Sequence, residues 1–116
     1  MTYYKEYFEK LEKDGKIFEK AEEIAKIVKK RASTIFQDCK VFLCGSYVKG
    51  SYTLSSDLDI LIVAENIPKR LRFEYYYTTV KKLLKDLNFS KINIHLLNKE
   101  KFLKRKKIYE PLLEIN

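Results

Sequence analysis

GSYVKGSYTLSSDLDILIV, residues 45–63, is a Gly-Ser turn, ten intervening residues and an Asp-x-Asp pair that runs straight into an apolar strand. Gly45 has no Cβ, so its backbone can approach a ligand closely. Ser46 supplies a hydroxyl and a backbone N–H where a short helix is predicted to begin, and helix N-termini favour phosphate. Asp57 and Asp59 stand two residues apart on a predicted strand. A period of two points both carboxylates to one face, roughly 7 Å apart at the Cα atoms for a rise of ~3.3 Å per residue. Two such carboxylates repel unless a cation sits between them, and Mg²⁺ carrying substrate phosphates meets that need. Together these residues suit a nucleoside triphosphate and its metal.

The spacing is specific. At average residue usage, Gly-Ser, ten residues and Asp-x-Asp should arise by chance in on the order of one chain in a thousand of this length. The pattern G-S-x(10)-D-x-D resembles that of the minimal nucleotidyltransferases of the polymerase-beta-like superfamily. The resemblance runs from about Lys40 to about Leu97, half the chain, and Ser56 and Gly50 also fit it. It implies an α/β (α+β) nucleotidyltransferase fold, with a small mixed, mainly antiparallel sheet of three to four strands covered by helices. One such domain would occupy residues 1–116. The implied catalytic residues and Mg²⁺ ligands are Asp57 and Asp59, and the implied nucleotide contacts are Gly45, Ser46, Lys49 and Ser56.

Composition bounds the remaining choices. A chain of 116 residues, 46% of them hydrophobic, suits one small domain with one core. No run is long and apolar enough for a transmembrane helix. The opening MTYYKEYFEKLEK is charged and aromatic, without the apolar centre of a signal peptide, so a cytoplasmic protein with no membrane partner is expected. Cys39 and Cys44 do not form a Cys-x-x-Cys pair, and Cys44 ends an apolar run, which reads as a buried, inert thiol. A net charge of +8, from 24 Lys and Arg against 16 Asp and Glu, attracts polyanions or acidic proteins. Most of that charge reads as solvated helix face, because Lys and Glu alternate along the helices.

Outward from the central stretch, the apolar periodicity gives the other elements. Tyr3, Tyr4, Tyr7, Phe8 and Leu11 lie on one face of a helix over 3–13, which Asp14-Gly15 ends. Ile17, Phe18, Ala21, Ile24, Ala25, Ile27 and Val28 predict an amphipathic helix from Lys16 to Ser33 or Phe36. KVFLC, 40–44, is a short buried strand. A short helix over 46–53 and a turn over 54–56 lead to the strand 57–63. For Ser46 and the Asp pair to share a ligand, these two strands must be antiparallel neighbours. Pro68 marks a loop over 64–70. Residues 71–87 read as a helix with Leu71, Tyr75, Thr78 or Thr79, Leu83 and Leu87 near one face, stopped at Asn88. KINIHLL, 91–97, is a third strand with Ile92, Ile94 and Leu96 on one side and Asn93, His95 and Leu97 on the other. Asn98 caps a very basic helix, KEKFLKRKK, which Glu110-Pro111 breaks. Leu112, Leu113 and Ile115 form a last turn or a short edge strand.

The resemblance also exposes two departures. Family members carry a third carboxylate on a neighbouring strand. Aligning KINIHLL with that strand puts Asn93 in its place, a neutral residue that can lend a metal an oxygen but cannot act as a general base. A shift of two puts His95 there, a possible proton acceptor and a poor Mg²⁺ ligand. After Ser46 the chain has Tyr47 where a basic residue is common, and Lys49 can neutralise a phosphate instead. Tyr47 or Tyr52 can stack on a base or pack as a core or rim residue. The reaction implied is transfer of a nucleoside monophosphate, AMP from ATP, to an acceptor hydroxyl. The family resemblance adds a helical HEPN protein as partner in a toxin–antitoxin pair. A homodimer is a further expectation. The competing readings are a degenerate fold that binds nucleotide or a protein without turnover, and a nucleic-acid-binding protein, which the lack of aromatic interleaving in the basic tail disfavours.

Overall fold

The two strands named by the central stretch do lie antiparallel. The computed structural model describes residues 16–53, 55–87 and 90–116, together with 6, 9 and 10. Strand β1 (Lys40–Cys44) pairs with β2 (Leu58–Ala64) so that Cys44 lies opposite Asp59 and Lys40 opposite Val63. The end of β1 therefore meets the start of β2, the geometry that a shared ligand requires. Strand β3 (Ile92–Asn98) lies parallel to β2 on its other side, and β4 (Leu113–Ile115) pairs antiparallel with β1. The sheet order is β3-β2-β1-β4. Two of its three pairings are antiparallel, as the mixed, mainly antiparallel sheet requires.

Each face of the sheet has its own cover. On one face, Val41, Leu43, Ile60, Ile62, Ile94 and Leu96 form the main core with helix α1 (Ala21–Ile35). α1 presents Ala21, Ile24, Ala25, Val28 and Ala32, all fully buried, and its alanines let the helix backbone lie close to the sheet. A 3-10 turn over Ile17–Lys20 precedes α1 and buries Ile17 and Phe18. Helix α3 (Phe73–Leu84) joins the same core through Val80, Leu83 and Leu84. The Tyr76 hydroxyl donates to the Ile94 carbonyl and ties α3 to β3. On the other face, Phe42, Cys44, Leu61, Val63 and Leu97 pack with Phe102 of helix α4 (Lys99–Tyr109), whose ring stacks on Phe42 at 5.4 Å.

Several boundaries differ from the sequence reading. The helix after Gly45, α2, covers only Ser46–Lys49, because Gly50 at φ 73° turns the chain out of it. β2 starts at Leu58, so Asp57 stands one residue before the strand. α3 is shorter than 71–87, and its backbone leaves helical geometry at Lys85 with φ 26°. Of its buried face, Thr79 is inside and Thr78 exposed. The Asn98 cap holds, its Oδ1 accepting from the Glu100 N–H at 2.9 Å. Its Nδ2 also donates to the carbonyls of Glu65 and Ile67, which fixes the start of α4 against the loop after β2. Of the helix over 3–13, positions 6, 9 and 10 are helical and exposed; its aromatic face, the Asp14-Gly15 break and the Asn88 stop lie outside the described residues. Among the described residues no helix is long and apolar enough to cross a membrane.

Arg31 joins α1 to the end of α3. Its Nη1 donates to the Leu83 carbonyl at 2.9 Å and its Nη2 to Asp86 Oδ1 at 2.8 Å, and the Asp86 side chain is only 8% exposed. Removing the guanidinium strands a largely buried carboxylate and a helix-end carbonyl. Arg31→Ala should lower the unfolding free energy by about 2–3 kcal/mol in urea denaturation. Asp86→Asn keeps an acceptor for the guanidinium and should cost less than half as much.

Candidate functional site

The junction of β1 and β2 holds the charged residues of the central stretch. Gly45 follows β1 with φ 72° and ψ −151°, a conformation that side chains resist. A Cβ there would strike the Asp59 carboxylate, whose Cγ lies 3.1 Å from that position. Only glycine lets the loop lie directly against the acid. α2 then starts at Ser46, with the Lys49 N–H bonded to the Gly45 carbonyl at 3.2 Å and the Ser51 N–H to the Ser46 carbonyl at 3.0 Å. The first N–H groups of a helix have no partner within it, so this turn can offer donors to a ligand.

Asp59 is the acid in a strand whose other six residues are buried. The parallel register sets it opposite Asn93, with His95 two residues further along the same face. Asn93 Nδ2 donates to Asp59 Oδ1 at 3.2 Å, and His95 Nε2 lies 3.1 Å from the same oxygen. Asn93 and His95 therefore both neighbour Asp59. Oδ2 faces Gly45. The Asp59 side chain stays 24% exposed and that of His95 30%. Both open on a cleft of about 340 Å³. Cys44, Gly45 and Lys49 form one wall, Asp59 and His95 the floor, and Ile108 and Tyr109 of α4 the other wall. Tyr109 meets the His95 ring edge-on at 5.6 Å.

The remaining residues singled out in the sequence fall around this cleft. Asp57 and Asn93 are exposed and Ser46 and Ser56 half-buried, and all four lie outside the cleft lining. The Ser56 hydroxyl accepts from the Thr53 N–H at 2.9 Å and closes the turn ahead of Asp57. Asn93 turns its amide N–H, not its oxygen, to Asp59. Tyr47 and Tyr52 stack with Phe18, at 6.4 and 4.4 Å, and Tyr47 packs against the main core. Their rings are engaged with the protein and do not line the cleft. Among the described residues no three His, Cys, Asp or Glu side chains gather as a metal cage. Sequence reasoning missed Ile108 and Tyr109. Nothing in the basic helix distinguishes its last turn, which tertiary packing, Phe102 on Phe42 and Tyr109 on His95, brings to the cleft. Burial, with Asp59 adding and Lys49 opposing, pushes the Cys44 thiol up to about 11.

The sequence pattern of a family described as "Nucleotidyltransferase domain" matches residues 21–114. A provisionally assigned protein adenylyltransferase of Methanocaldococcus jannaschii is 46% identical over 48 residues, 40% of this chain and 48% of that protein. The aligned part spans about half the length of that curated relative. A crystal structure of a provisionally assigned nucleotidyltransferase from Sulfolobus solfataricus shares the fold, with a TM-score of 0.54 and 21% identity over 85% of this chain and 78% of its own. A second crystal structure, also of a provisionally assigned nucleotidyltransferase, gives a TM-score of 0.56 at 27% identity, covering 81% of this chain and 95% of its own.

Two glycines with the same sign of φ separate strain from collision. Gly50 has open space where a Cβ would go, so Gly50→Ala should cost only the left-handed backbone, about 1 kcal/mol. Gly45→Ala adds the clash with Asp59 and should cost about 3 kcal/mol in the same denaturation series. The two cysteines should also separate. Iodoacetamide at pH 8 should label half-buried Cys39 and leave buried Cys44 unmodified, as read by mass spectrometry of the digested protein.

Proposed function

This chain belongs to the nucleotidyltransferase domain family, and on that premise we propose that it transfers AMP from ATP to an acceptor hydroxyl. The observation that carries this reading is the Asp59 carboxylate set directly against Gly45, in one cleft with Lys49. A triphosphate lying over Gly45 and Ser46 meets a backbone with no Cβ in the way and the Lys49 ammonium beside it. Mg²⁺ takes one or two carboxylates and leaves its other positions to phosphate and water, and Asp59 in the cleft, with exposed Asp57 two residues before it, would supply the carboxylates. They would hold it, and when bound it supplies charge neutralisation on the phosphate oxygens. The acceptor oxygen attacks the α-phosphorus, the bond to the bridging oxygen breaks, pyrophosphate leaves and the hydroxyl proton passes to solvent. The chain's own contribution is positioning and a fixed electrostatic environment. AMP is the group favoured by the adenylyltransferase assignment of the Methanocaldococcus relative. A helical HEPN protein, the partner implied by the resemblance, is the first acceptor to test.

One observation favours a second reading. Asn93 lies opposite Asp59, where a third carboxylate would serve, and an amide cannot take the acceptor's proton. A chain that binds nucleotide without turnover fits that substitution.

Calorimetry and a transfer assay separate the two. ATP should bind only with Mg²⁺, and Asp57→Ala, an exposed and structurally mild change, should weaken it at least tenfold. Asn93→Asp should raise AMP transfer at least tenfold if transfer is the function. ATP bound without transfer in either protein would favour the binding module. No Mg²⁺-dependent ATP binding by the native chain would sink both.

A further inference from the structure

Helix α4 has six basic residues against one acidic, Glu100, and one fully buried anchor, Phe102. Leu103 with Lys107 and Lys104 with Ile108 are each four residues apart, so these pairs lie side by side on its outer face, which Glu100 shares. All four are exposed, Leu103 at 68% and Ile108 at 76%. Lys104 approaches Glu100 at 3.6 Å, a solvent-screened contact, and Lys107 has no ion pair among the described residues. Leu103 and Ile108 flank the two lysines and add apolar surface to a basic face. This face also leads somewhere. Ile108 belongs to the wall of the Asp59 cleft, and at the other end Leu103 borders an open cleft of about 380 Å³ whose lining mixes Lys69 and Lys99 with Glu65 and Glu100.

We propose that the outer face of α4 docks an acidic, leucine-bearing segment of a protein, which presents its acceptor hydroxyl to the Asp59 cleft. The assignment of that protein as acceptor rests on the transfer reading; the docking does not. Leu103 and Ile108 supply apolar contact, while Lys104 and Lys107 select carboxylates and steer their approach. A nucleic acid fits less well, because this face has neither the aromatic rings nor the arginine on which bases stack.

The test uses three labelled probes in fluorescence anisotropy. One is a helical peptide carrying a tyrosine among leucines and glutamates, the second the same peptide with lysine for every glutamate, the third a single-stranded oligoadenylate. The native chain should bind the glutamate peptide, more weakly as salt rises, and should ignore the lysine peptide. Lys104→Glu with Lys107→Glu should weaken the glutamate peptide at least tenfold and gain binding to the lysine peptide. Leu103→Ser should weaken the glutamate peptide severalfold. Calorimetry of Mg²⁺-ATP should match the native value within twofold in these variants, which verifies their fold. No binding of the glutamate peptide, binding indifferent to the charge reversal, or binding of oligoadenylate alone would overturn the proposal. Loss of ATP binding in the native chain would strike the transfer reading and leave the peptide result to stand by itself.

Discussion

A carboxylate placed in the middle strand of a sheet has to be compensated, and the rest of the molecule answers to that demand. Asp59 lies in β2, between β1 and β3, among residues that are otherwise buried. An ionised carboxylate left alone there would be costly, while one with partners and a path to water can persist. Its partners come from three directions. β3 contributes Asn93 and His95, the Gly45 turn lies against its second oxygen, and the remaining exposure opens on the cleft. Each depends on a fold-level choice: the parallel register of β3, the antiparallel register of β1, and a residue without a Cβ at 45.

The second sheet face divides its area between packing and chemistry. Phe102 and the residues around Phe42, Leu61, Val63 and Leu97 cover one half. The half bearing Asp59, Asn93 and His95 is left to the cleft. α4 serves both halves, since its early turns carry the Phe102 anchor and its last turn carries Ile108 and Tyr109. The Asn98 clamp on the 65–67 loop sets where this helix begins and so where its last turn ends. A polar cap residue thereby shapes a wall it never touches.

Much of this was legible in the sequence because strong local signals agreed with one another. The apolar run 40–44 and the Asp-x-Asp strand had to be antiparallel neighbours if Ser46 and the Asp pair were to share a ligand, and the alternation in 91–97 put Asn93 and His95 on one side of their strand. The position of α4 was not legible. One buried residue in eleven leaves no periodicity to read, so its packing is decided wholly by tertiary contact. The length of α2 turned on Gly50, whose left-handed φ ends the helix earlier than composition suggested. The start of β2 after Asp57 turned on pairing: the Leu58 N–H bonds to the Lys91 carbonyl, while Asp57 lies outside the β1 register. A shift of one residue at a strand end is within reach of a single hydrogen bond and beyond the reach of a pattern.

The parallel pairing of β2 and β3 has a kinetic side. Asp59 and His95 are 36 positions apart and meet only after the α3 crossover has closed, and the cleft also needs Tyr109 from near the C-terminus. No early fragment of the chain contains the assembled pocket. Contacts this distant in sequence form late and slow the search for the native state. Whatever occupies the cleft therefore binds the completed protein alone, and it stabilises the folded chain by RT ln(1 + L/Kd), with L the free ligand concentration, a gain that grows as ligand is added. The pocket thus ties strands and helix from distant parts of the sequence into one linked equilibrium with its ligand.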